Sequence, residues 1–129
     1  MQEAKTEYSN FITPPDVINE SKHNVLVIDA TLDEVQQLGL FCTNSPINFN
    51  IYLYNYTMNN LDWMALAGDR AHAIIINTEE NSFTEIKEKL LDLSFCYYYG
   101  PKTYDFSPRK INRPVDYFIE YTKFSLSLI

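Results

Sequence analysis

At 129 residues with 46% hydrophobic side chains, the chain is long enough for one domain with its own core, which excludes a disordered segment or a fold held by disulfide staples. Its formal charge of −7 weighs against a domain whose main task is to grip phosphate backbones, because that affinity comes from Lys and Arg displacing counterions. The imbalance is uneven: residues 1–100 hold five Lys/Arg against fourteen Asp/Glu, and residues 101–129 hold five against three, so a mildly basic tail follows an acidic body.

Residues 1–22 are polar and broken by Pro14-Pro15, a pair that forbids helix and favours an extended path. They read as an arm, whose Tyr8, Phe11, Ile12, Val17 and Ile18 are too apolar for a solvated linker. No basic-then-apolar leader opens the chain, and no apolar run approaches the roughly 18 residues of a membrane span, so a cytoplasmic setting with no membrane partner is expected.

Val25-Leu26-Val27-Ile28 is a continuous β-branched run, as expected of a strand covered on both faces. Thr31 with Glu34 three residues later makes a capping box, and Val35, Leu38 and Phe41 follow at helical spacing. Phe49 to Tyr56 alternates Phe49/Ile51/Leu53 with Asn50/Tyr52/Tyr54, the period of a strand with one dry and one half-exposed face, which predicts a sheet edge. Asn59 or Asn60 then caps a helix carrying Leu61, Met64 and Ala65, with Gly68 near its end. Ala73-Ile74-Ile75-Ile76 repeats the buried-strand pattern. Ser82 and Glu85 form a second capping box before Phe83, Ile86, Leu90 and Leu93, with Glu85 and Lys89 spaced for an i,i+4 pair. Phe95 to Tyr99 is a fourth strand, stopped by Gly100-Pro101.

Strands alternating with helices at this spacing imply parallel pairing through right-handed crossovers. The predicted fold is a three-layer, doubly wound α/β domain over residues 23–102, with a mainly parallel four-stranded sheet of order 2-1-3-4. An arm (1–22) precedes it, and an aromatic and basic extension (103–129) follows. Within that extension Val115 to Phe124 suits a short helix with Val115, Phe118, Ile119 and Thr122 inward, capping the sheet or clasping a neighbour.

Open parallel sheets bind ligands beyond the carboxyl ends of their strands, where strand order reverses. That rule brings Asp29, Thr31, Asn77 and Thr78 together as a candidate crevice, with Glu79 beside them. The same residue types are also what caps and turns require: Thr31 and Ser82 as helix caps, Asp29 as partner of the next turn. Only Gly39, Gly68 and Gly100 are present, none between the first strand and its helix, so neither a dinucleotide fingerprint nor a P-loop is expected. His23 and His72 stand at the amino-terminal ends of two strands, away from the crevice, and no His/Cys/carboxylate set has ligand spacing. Cys42 and Cys96 lie in apolar settings with no adjacent base. No catalytic residue, metal or cofactor is therefore expected.

The strand order and Asp29 resemble a response-regulator receiver over residues 24–102, with flavodoxin-like topology. That family carries an acidic cluster after the first strand, a phospho-acceptor Asp after the third and a Lys after the last. Here the cluster is reduced to Asp29, the acceptor position holds Asn77, and Lys102 follows only after Gly100-Pro101, so the resemblance implies at most a degenerate receiver. The segment Asn48-Phe49-Asn50-Ile51-Tyr52-Leu53-Tyr54-Asn55-Tyr56 is similar in style to small accessory proteins of tailed phages, which implies a host cytoplasm or a virion.

Two function classes follow. The first is a non-enzymatic protein-interaction or assembly module, through Tyr52, Tyr54 and Tyr56 on the predicted edge and Tyr104, Phe106, Arg109, Lys110 and Arg113 in the tail. The second is a small ligand-binding domain or enzyme using the Asp29/Asn77 crevice. Charge interleaved with aromatics in the tail also fits single-stranded nucleic acid, but the acidic body argues against it.

Overall fold

A computed structural model describes residues 12–13, 22–78, 82–90, 93–100 and 109–128. In chain order the elements are β1 (Ile12–Thr13), β2 (His23–Ile28), α1 (Leu32–Thr43), β3 (Phe49–Tyr54), a 3₁₀ turn (Tyr56–Met58), α2 (Leu61–Arg70), β4 (Ala73–Asn77), α3 (Ser82–Lys89), β5 (Cys96–Tyr99) and α4 (Pro114–Ser127). All strand pairs are parallel, in the order β1-β3-β2-β4-β5. The four principal strands thus take the predicted 2-1-3-4 order, with helices on both faces.

The two β-branched runs form the centre of the sheet, Val25 facing Ile51 on one side and Ala73 on the other. Because successive side chains alternate, each strand feeds two cores. Leu26, Ile28, Ile74 and Ile76 pack with Met64 and Ala67 of α2 and Ile86 of α3. Val25, Val27, Ile51 and Ile75 pack on the opposite face with Leu38 of α1 and Val115 and Phe118 of α4. The Thr31–Glu34 capping box forms as read: Glu34 N donates to Thr31 Oγ1 at 3.2 Å, and Thr31 N donates to Glu34 Oε1 at 2.8 Å.

Four expectations change. The predicted half-exposed face of β3 is core: Tyr52 and Tyr54 are 0% and 2% exposed. The crossover into β4 lays α2 over them, Trp63 stacks 6.3 Å from the Tyr54 ring, and the Tyr54 hydroxyl is satisfied by Asn60 N at 3.0 Å. β3 is not the edge either, since Ile12 and Thr13 pair with Ile51 and Tyr52.

The body does not stop at residue 102. Tyr98 N donates to the Arg109 carbonyl at 3.0 Å and Ile111 N to the Tyr98 carbonyl at 2.9 Å, a parallel bridge flanking β5. α4 then covers the sheet face with Pro114, Val115, Tyr117, Phe118 and Thr122 buried, which is the sheet-capping alternative of the two expected for this helix and makes it a layer of the domain. Pro114 fits at the first helical position, where no amide partner is missing.

Gly68 stands near the end of α2 as expected, two residues before its last residue, Arg70. A Cβ there would stand 2.9 Å from Leu90 Cδ2, so its absence lets the helix close on its neighbours. Glu85 and Lys89 do not pair with each other: Glu85 accepts from the Tyr56 hydroxyl at 2.6 Å, and Lys89 Nζ reaches Asp62 at 3.4 Å. The Ser82 side chain, and with it the second capping box, lies outside the described residues.

Candidate functional site

The chain leaves β2 for β3 along one sheet face through α1 and crosses back to β4 along the other through α2, so strand order reverses between β2 and β4. Beyond the carboxyl ends of the strands lies a cleft of about 340 Å³ lined by Thr31, Glu34, Asn77, Tyr99, Gly100, Lys110, Ile111 and Asn112. Two of the four predicted crevice residues, Thr31 and Asn77, line it. Asp29 and Thr78 do not.

Asp29 adopts a left-handed conformation with φ of 60°. Its amide donates to the Tyr54 carbonyl at 2.8 Å and its Oδ1 accepts from Tyr56 N at 2.8 Å, so the carboxylate braces the turn that follows β3. Asn77 Nδ2 donates to the Asp29 carbonyl at 3.2 Å, tying the ends of β2 and β4 together. Thr78 is fully buried, with both its amide and its hydroxyl on the Tyr99 carbonyl, at 2.7 and 3.0 Å. The Tyr99 hydroxyl donates to Glu34 Oε1 at 2.9 Å, and burial followed by that carboxylate raises its pKa well above the phenol range. Lys110 Nζ donates to the Gly100 carbonyl at 3.2 Å.

Sequence reasoning missed Glu34, Tyr99 and Lys110 as cleft residues. Glu34 was legible only as a cap. Lys110 arrives through the bridge to β5, which leaves no periodic signal. Lys102 and Glu79 lie outside the described residues.

Family models, curated proteins and solved structures offer no counterpart to this arrangement, and none of them matches the chain.

Burial pushes the Cys42 thiol up to about 12, which disfavours its thiolate at neutral pH, and Cys96 is buried in the core with Ile86 and Leu90. Among the described residues no three His, Cys, Asp or Glu side chains converge as metal ligands. His23 and His72 stack at 4.8 Å at the amino-terminal end of the sheet, opposite the cleft, with His23 Nε2 2.6 Å from the Tyr117 hydroxyl. No helix of the described residues is long and apolar enough to cross a membrane.

The predicted contact residues scatter. Tyr52 and Tyr54 are buried and present no partner surface. Tyr56 is partly exposed, its hydroxyl on Glu85. The Arg113 guanidinium holds Asp116 at 2.8 Å. The Arg109 guanidinium lies 5.4 Å from the Tyr97 ring centroid. Tyr104 and Phe106 lie outside the described residues.

Proposed function

We propose that the protein is a non-enzymatic protein-interaction or assembly module. The observation carrying this reading is that the polar groups at the strand ends serve the fold: Asp29 braces Tyr56 N, Asn77 ties to Asp29, Thr31 and Glu34 cap each other, and Lys110 holds Gly100. Among the described residues there, no acid, base or nucleophile is poised toward an open position. Supporting it, large apolar side chains stand in solvent at one end of the molecule: Phe124, Leu126 and Leu128 are 59%, 47% and 71% exposed on the last turns of α4. The resemblance to phage accessory proteins supports a host cytoplasm or a virion as its setting.

Tagged full-length chain recovered from its native source tests the reading. The expected outcome is a defined co-purifying protein, or a self-association, that is lost in a Phe124→Ser/Leu128→Ser double variant of unchanged fold. An equal yield with the double variant removes the helix end as the contact. A small-ligand reading of the cleft keeps one favourable observation, the Lys110 ammonium at the strand-order reversal. Lys110→Ala is its test, since Asp29→Ala also breaks the turn at Tyr56. Metabolite binding abolished by Lys110→Ala without loss of stability would favour that reading.

A further inference from the structure

We propose that the groove between β5 and α4 receives an Arg or Lys side chain of a protein partner. The inference rests on the interaction reading above and names the chemistry of the contact. The groove, of about 390 Å³, is lined by Tyr97, Tyr117, Tyr121 and Phe124, with Glu120 among them. On α4 the residues 117, 120, 121 and 124 share one helical stripe, and Tyr97 approaches from β5 with its ring 4.9 Å from that of Tyr117. Tyr117 and Tyr121 stack at 6.1 Å and 21°. His23 stacks on Tyr121 at 3.8 Å and Tyr117 is buried, so the ring surface left to a cation is that of the exposed Phe124 and of the half-buried Tyr97 and Tyr121, which attract cations through their quadrupoles.

Charge complementarity decides the sign of the occupant. Two acids line the groove, and they differ. Asp116 is neutralised by Arg113 at 2.8 Å. Glu120 is exposed, and no cation of the described residues lies on it. An acid at the rim of an aromatic groove selects a cationic group and repels phosphate. The chain's own Arg109 guanidinium already makes such a pairing at the groove, 5.4 Å from the centroid of the Tyr97 ring. An Arg or Lys side chain places its stem along the rings and its charged head at Glu120.

The test uses full-length protein with ¹³C-labelled tyrosine and the peptide acetyl-Gly-Arg-Gly-Arg-Gly-amide, followed by NMR of the ring signals. The control peptide carries citrulline in place of both arginines, which keeps the shape and removes the charge. Expected are shifts confined to Tyr97, Tyr117 and Tyr121, and affinity about three- to tenfold weaker for the citrulline peptide and for Glu120→Gln. Glu88→Gln, on the opposite sheet face, should leave affinity unchanged. Equal affinity for the two peptides, equal effects of Glu120→Gln and Glu88→Gln, or stronger shifts with oligo-dT than with the arginine peptide would overturn the proposal. If the rings do not respond but native partner capture still depends on Phe124 and Leu128, the groove assignment falls and the interaction reading stands. If capture also survives the double variant, that reading loses its contact surface too.

Discussion

Gly100 ends β5 with φ of +117°, a conformation that side-chain-bearing residues rarely adopt, and an added Cβ would meet Asn77 Oδ1 and Thr78 Oγ1 at 2.8 Å. Both neighbours hold strand ends in register, so neither yields cheaply. Gly100→Ala should cost about 2–3 kcal/mol, read as a lower midpoint in urea with an unchanged slope. His23 carries a second prediction. Burial first, and the adjacent His72 ring second, lower its pKa from 6.5 to about 4, with Tyr117, Tyr121 and Phe49 forming the rest of its surroundings. Between those values the unfolded chain binds the proton and the folded chain does not. This contribution to stability is thus intact above about pH 6.5 and is lost as pH falls toward 4. Because the ring is partly exposed, solvent screening leaves a loss of about 1–2 kcal/mol. Unfolding measured from pH 7 to 4 should show that decline, and His23→Phe, which keeps a ring in the stack, should flatten it; an unaltered profile would refute the assignment.

At the scale of elements, α4 takes the sheet-capping one of the two roles its sequence allowed, and extends further than read, from Pro114 to Ser127. Its inward residues Val115 and Phe118 close the face formed by Val25, Val27, Ile51 and Ile75, so removing residues 114–128 strips one layer from a three-layer sandwich. That truncation should abolish cooperative unfolding and bind a hydrophobic dye, while the graded variant Phe118→Ala should fold and lose about 3–5 kcal/mol. A truncated chain that still unfolds cooperatively would return α4 to the status of an appendage. For the same reason a tail deletion cannot report on partner capture, and surface variants such as Phe124→Ser are the informative ones. By contrast α1 behaves as its sequence reads, because Thr31 and Glu34 cap each other within one turn and need nothing distant.

For the whole molecule, strand pairing covers the sheet on both flanks, Ile12–Thr13 beside β3 and the Lys110 bridge beside β5. The contact proposed above therefore falls on helix and ring surfaces of α4 rather than on backbone amides of a sheet edge or on the β3 tyrosines. Charge acts at this scale too. With a pI near 4.7, the acid window that weakens His23 also takes the net charge toward zero, so aggregation should accompany the loss of stability there.

What the sequence determined by itself was local: two β-branched runs that could only be central strands, a capping box that starts α1, and helix and strand periods whose alternation implies the 2-1-3-4 parallel sheet. Those signals span one turn or one strand, the range over which side-chain spacing and backbone capping act. The tertiary structure decided which faces are covered. It buried Tyr52 and Tyr54 beneath α2, carried Lys110 to the cleft, turned Asp29 into a brace and gathered Tyr97, Tyr117 and Tyr121 into one groove. Each of these depends on long-range pairing and on the hand of a crossover, which no window of sequence encodes. An amphipathic tyrosine reads alike in a core and on a surface until its neighbours are in place.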